Sequence, residues 1–301
     1  MRRSAGLVVG FSGLLVASCV GLGDPPATNA PGAPQVAGPQ GGEDATGGQL
    51  WLIPSPQSGL MMRAALFRPP GNGPFPLAVI NHGTNQVTID RVPMPMPDFP
   101  GLTAWLVARN YAVLLPQRPG HGETGGRYLE DQGPCERPRY VESGQATADS
   151  IAAAIDFMTK QPFIRPTGVL VIGNSAGAWG ALALASRNPK NVAAIVNFAG
   201  GRGGRNRGQP DNNCSPERLV AAAAEFGRTA RIPTLWLYAE NDSYFPPDLS
   251  RRMAAAYTAA GGKAGYVLLP PVPGEGHGLI NASPPAAPWI VPLERFLARN
   301  S

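Results

Sequence analysis

Short unbroken apolar runs alternate along this chain with stretches whose apolar residues recur at helical spacing. The runs at 77–80, 111–115, 169–172, 192–198, 234–238 and 266–269 predict strands buried on both faces, too short for core helices. Between and after them, residues 102–109, 146–160, 178–186, 216–226, 249–260 and 288–298 predict helices, with Ile151, Ile155 and Met158 on one face of the second. Ahead of all of these, 50–53 and 60–67 predict two strands of a meander, the second stopped by Pro69, Pro70 and Gly71. Strand and helix alternate. That order implies an α/β fold with a mainly parallel sheet covered on both faces and reactive groups at the carboxyl ends of its strands.

The first 48 residues break this pattern. Arg2 and Arg3 precede a mostly apolar stretch over 7–16, which reads as a secretory signal occupying 1–18 and too short to span a bilayer as a mature helix. Val16-Ala17-Ser18-Cys19 resembles the lipobox of bacterial lipoproteins, so Cys19 is expected to carry lipid and anchor an exported protein to the cell envelope. Residues 19–48 then offer Pro, Gly, Ala, Asn and Gln with almost no large apolar side chain and are expected to form a flexible tether. A single domain over 49–301 follows, and a composition that is 43% hydrophobic suffices to fill its core.

Charge adds little. The formal net charge of +5 falls by two once Arg2 and Arg3 leave with the signal, too weak a balance to argue for nucleic acid. The Arg-Gly stretch over 201–208 is short and lacks interleaved aromatics, so it too is not read as a nucleic-acid site. Its Arg202, Arg205 and Arg207 could instead attract anionic substrates. Beyond Cys19 the chain has Cys135 and Cys214, an even pair that in an oxidising compartment is expected to form a disulfide. Neither has a neighbouring Cys or His at metal-ligand spacing.

The chemistry begins where the run at 169–172 breaks into Gly173-Asn174-Ser175-Ala176-Gly177. A serine at a sharp strand-to-helix turn is lifted clear of the sheet, while small residues two positions to either side let strand and helix nearly touch. Ser175 is the expected nucleophile, and the amide of Ala176 points where negative charge would gather on an attacked carbonyl. The hydroxyl still needs a base. Of three histidines, His277 lies in Gly276-His277-Gly278 after the last strand and is the expected base, whereas His82 and His121 read as loop histidines bonded to backbone. Asp242, in the loop after the strand at 234–238, is the expected carboxylate; Glu240 is its rival, and Asp248 is expected to cap a helix.

Taken together, the strand–helix alternation, the Gly173–Gly177 elbow, Asn81-His82-Gly83-Thr84, Asn241-Asp242 and Gly276-His277-Gly278 resemble the α/β-hydrolase superfamily. Within it the chain is similar to the dienelactone-hydrolase-like and prolyl-oligopeptidase-like branch. That resemblance covers about 50–300. It implies the α/β-hydrolase fold and a second oxyanion donor at the amide of Thr84; with Ser175 and His277 as nucleophile and base, the expected reaction is cleavage of an ester through an acyl-enzyme, with no cofactor or metal implied. Dienelactone hydrolases proper use a cysteine nucleophile, so the serine here sets their lactone aside as the expected substrate. Peptide hydrolysis, acyl transfer to another alcohol, and a binding protein that only keeps the fold are the competing readings. Oligomeric state has no signature in the sequence.

Overall fold

The computed structural model describes residues 36–300. The expected signal peptide, the expected lipidation site Cys19 and most of the expected tether lie outside the described residues. Strands β1 Gly38–Glu43, β2 Gly48–Pro54, β3 Met61–Phe67, β4 Leu77–Asn81, β5 Ala112–Pro116, β6 Val169–Asn174, β7 Val192–Phe198, β8 Thr234–Ala239 and β9 Ala264–Leu269 build one sheet. Its order is β1-β2-β3-β5-β4-β6-β7-β8-β9. The first three strands form an antiparallel meander, β3 pairs antiparallel with β5, and β4 to β9 run parallel to one another.

Among the described residues seven α-helices accompany the sheet: α1 Thr88–Arg91, α2 Pro100–Val107, α3 Tyr140–Met158, α4 Ala176–Ala185, α5 Pro216–Thr229, α6 Pro247–Ala259 and α7 Ile290–Asn300. Successive strand residues face opposite sides, and the apolar runs therefore fill two cores at once. Leu77, Val79, Val169 and Val171 pack with Ile151, Trp179 and Phe226 on one face. Ala78, Ile80, Leu170 and Ile172 pack with Leu102, Trp105 and Trp289 on the other. No helix among the described residues is long and apolar enough to cross a membrane.

Three departures from the sequence reading have physical causes. The stretch expected as tether ends in β1, a Gly-rich edge strand held by its ladder to β2 and exposed at five of its six positions, so no apolar alternation betrays it. Helix α3 starts at Tyr140, six residues before the expected position. Gly144 is poor helix former but is needed there, since a Cβ on it would stand 2.8 Å from the ring of Phe226 and 3.1 Å from that of Trp179. Asp248 lies inside the first turn of α6, whose N-cap is Pro246, and so it does not cap the helix.

Candidate active site

The elbow forms at the carboxyl end of β6. Ser175 adopts φ 54°, ψ −120°, a conformation costly for a residue with a Cβ and held by bonds on both sides of it. Its amide donates to Phe198 O (3.0 Å) and its carbonyl accepts from the amides of Trp179 (3.0 Å) and Gly201 (3.3 Å). The two flanking glycines are obligatory. A Cβ on Gly173 would meet Ala178 N at 2.3 Å, and one on Gly177 would meet Asn81 O at 2.3 Å.

His277 and Asp242 come from the loops that follow β9 and β8, at the same edge of the sheet. The imidazole Nδ1 stands 3.3 Å from Asp242 Oδ2. Asp242 is 1% exposed, and its other oxygen accepts from the amides of Tyr244 (2.8 Å) and Phe245 (3.0 Å). The ring of Tyr244 lies against the imidazole with centroids 4.2 Å apart, fixing its plane. With Nδ1 turned to the carboxylate, Nε2 is the free nitrogen. Glu240 is exposed and takes no part.

Sequence reasoning missed Glu275. Its Oε1 accepts from the amides of Ser243 (3.0 Å) and His277 (3.1 Å), and its Oε2 from the hydroxyl of Ser243 (2.6 Å) and from Arg205 (3.3 Å). One carboxylate thereby clasps the loop of Asp242 to the loop of His277. Burial works against its charge, but these hydrogen bonds and Arg205 outweigh it and hold Glu275 below the usual carboxylate range. An acid two residues ahead of the histidine, where it can cap the short 3-10 turn Gly276–Asn281, was the available signal.

On the other side of Ser175 passes the loop His82-Gly83-Thr84. A Cβ on Gly83 would lie 3.1 Å from Ser175 Cβ and 3.6 Å from its hydroxyl oxygen. Beneath this loop, Arg118 bonds the carbonyl of His82 (2.8 Å) with its guanidinium and donates its own amide to His82 Nε2 (3.1 Å). Arg118 and Arg202 both pair with Glu130, and all three are buried. Burial opposes ionisation of Glu130, yet the two guanidiniums and His121 hold its carboxyl far below its usual range. Arg202 is therefore a buried structural cation, contrary to the expectation that it could draw in substrate. His121 sits beside this group with Nε2 2.6 Å from the hydroxyl of Thr84.

A cavity of about 600 Å³ opens here, with Thr84, Ala176, Arg205 and Arg207 in its lining. The amide of Ala176, first in α4, and that of Thr84 have no acceptor among the described residues. Arg205 is tied to Glu275, whereas Arg207 has no ion pair among the described residues. A second cavity of about 320 Å³ shares Thr84 and Asn85 with it and is lined by His82 and Gly83, by Met94, Met96 and Phe99, and by the charged Asp90, Arg91 and Asp98. Cys135 and Cys214 are joined by a disulfide with Cα atoms 5.1 Å apart, closing the wall of the larger cavity. No cluster of possible metal ligands occurs among the described residues.

A mostly parallel sheet with a strained serine elbow and a histidine–aspartate pair at its carboxyl edge defines an α/β hydrolase. The chain matches the dienelactone hydrolase family over residues 94–289 and belongs to it. Among solved structures it is similar to the Pyrococcus furiosus esterase Pf2001, at 12% identity and TM-score 0.59, covering 84% of this chain and 92% of that one. It is also similar to a putative dienelactone hydrolase from Klebsiella pneumoniae, at 16% identity and TM-score 0.52, covering 88% and 95%. A puromycin-hydrolysing peptidase of Mycobacterium tuberculosis matches at 18% identity and TM-score 0.54 over 74% of this chain, which spans 35% of that protein's length. No curated protein sequence matches. At these identities the neighbours show the fold, and membership in the family supports hydrolase chemistry.

Proposed function

We propose that the protein is a serine esterase that cleaves carboxylic esters through an acyl-enzyme on Ser175. What supports this reading above all is the arrangement at one sheet edge: a strained serine elbow after β6 and, after β8 and β9, an imidazole whose Nδ1 faces a buried carboxylate. In the proposed cycle the Ser175 hydroxyl oxygen attacks the ester carbonyl while His277 Nε2 takes its proton. The amides of Ala176 and Thr84 hold the resulting oxyanion. Collapse expels the alkoxide, which receives the proton from His277. Water, deprotonated by the same imidazole, then releases the acid and restores the serine. Asp242 fixes the tautomer and favours the transient imidazolium.

The two cavities suggest how an ester would lie. Met94, Met96 and Phe99 offer an apolar group contact in a cavity that also carries Asp90, Arg91 and Asp98, and Arg207 in the larger cavity suits a polar or anionic group. Chromogenic esters of graded acyl length, with and without a terminal carboxylate, test the proposal. At least one should turn over, and Ser175→Ala should abolish its turnover while leaving the thermal midpoint unchanged; a Ser175→Ala variant with full activity contradicts it.

We also propose that the chain is exported and lipid-anchored through Cys19, on the strength of the Arg2-Arg3, apolar and Val16–Cys19 sequence. Metabolic labelling with an alkynyl fatty acid in a bacterial host should mark the wild type and not Cys19→Ala. Equal labelling of both would overturn the anchor.

A further inference from the structure

We infer that His121 is a positioning residue for the oxyanion hole: through the hydroxyl of Thr84 it fixes the backbone amide of that residue over Ser175. This rests on the serine-hydrolase reading and adds a residue to it. The segment from His82 to Thr84 belongs to no helix or strand, so nothing regular sets the direction of the Thr84 amide. Its side chain does. Thr is β-branched and stiff about χ1, which couples an anchored hydroxyl to the orientation of its own backbone.

The anchor is directional. His121 Nδ1 lies 3.2 Å from Arg118 O and 3.2 Å from Pro119 O, both acceptors, so the ring proton sits on Nδ1. Nε2 then carries a lone pair, and the hydroxyl of Thr84 must donate to it across 2.6 Å. The competing acceptor, Asn85 O, is 3.3 Å away. Burial, more than the charge of Arg118, holds the imidazole down to about 4, against the opposing field of Glu130, so Nε2 remains an acceptor at neutral pH. The ring itself is wedged between His82 (centroids 4.7 Å apart) and Tyr128 (5.6 Å). It is also fully buried. A substrate cannot reach it. Its effect must therefore pass through Thr84.

The test is a double-mutant cycle on the full chain, with active sites titrated by a fluorophosphonate so that misfolded molecules are not counted. His121→Ala and Thr84→Val should each lower kcat per titrated site by about 10- to 100-fold, the scale of a misaligned rather than deleted donor, with KM nearly unchanged. The double variant should lose no more than either single one, and Thr84→Ser, which keeps the hydroxyl, should recover most of the rate. A purely structural histidine would lower the thermal midpoint but leave kcat per titrated site within twofold, and that result overturns the inference. Losses that multiply in the double variant overturn it as well. If the wild type takes no phosphonate at Ser175, the esterase reading fails instead, which keeps the two failures apart.

Discussion

The two sides of Ser175 are held by opposite means. On the base side, Asp242 and His277 sit on loops clasped by Glu275, a partly exposed carboxylate that bonds mainly to backbone amides and to one serine hydroxyl. On the oxyanion side, a loop without secondary structure rests on Arg118, Glu130 and Arg202, three ions removed from water. The first is a set of local hydrogen bonds that can be loosened one at a time. The second is a block in which each charge depends on the others, because an unpaired buried ion costs far more than a lost surface contact. Loosening the base side should thus cost rate with little stability, whereas breaking the buried ion group beneath the oxyanion loop should cost stability first.

That contrast orders the expected effects. Asp242→Asn should lower kcat by about ten-thousandfold, the scale of a wrong imidazole tautomer in serine proteases, with little change in the denaturation midpoint; a loss below tenfold would remove Asp242 from the base side. Glu130→Gln leaves two buried guanidiniums unbalanced and should cost about 3–5 kcal/mol in chemical denaturation, more than any single change on the base side. If Glu130→Gln is as stable as the wild type, the two halves are not built differently.

Acid should separate them too. His82 and His121 are held neutral chiefly by burial, so the unfolded chain binds protons that the fold refuses. The contribution of His121 is present above the ordinary histidine value near 6.5 and is lost as pH falls from there toward about 4, and that of His82 is lost in the same direction. Glu130, with its carboxyl depressed, adds stability present above the ordinary value of 4.5 and lost further into acid. Denaturation midpoints measured from pH 8 to 5 should fall on the acid side; a flat profile would mean that the two histidines do not stay neutral. Smaller again, Glu275→Gln should reduce kcat by about tenfold, the scale of a loosened imidazole orientation, while midpoints change little. Arg207→Gln should raise KM severalfold for esters with a terminal carboxylate and leave neutral esters unaffected, most visibly at low salt. Equal effects on both would take Arg207 out of recognition.

The same contrast explains what could be read in the sequence. Strands β4 to β9 announced themselves as apolar runs because both faces of a parallel sheet are buried. The elbow was legible from Gly173 and Gly177, whose requirement is steric and local, and the order of Ser175, Asp242 and His277 followed from which strand each one ends. Arg118, Glu130 and Arg202 were not legible as a unit, since nothing near any of them in the chain records the other two. Glu130 in particular lies in a loop with no periodicity, and only the fold shows that it neutralises two cations. Strand β1 was hidden for another reason: its stabilisation is a backbone ladder, to which side chains contribute nothing that a pattern could reveal. Glu275 stood in plain view two residues from His277, but nothing along the chain records that its carboxylate also reaches the amide of Ser243 in the loop of Asp242.

The central claim is that Ser175 is an activated nucleophile, and covalent labelling addresses it without knowledge of the substrate. A fluorophosphonate probe added to the folded protein, followed by proteolysis and mass mapping, should place one adduct on Ser175. The adduct should be absent after heat denaturation and in Ser175→Ala, and form far more slowly in His277→Ala. Labelling that is equal in folded and denatured protein, or that persists undiminished in Ser175→Ala, would contradict the account.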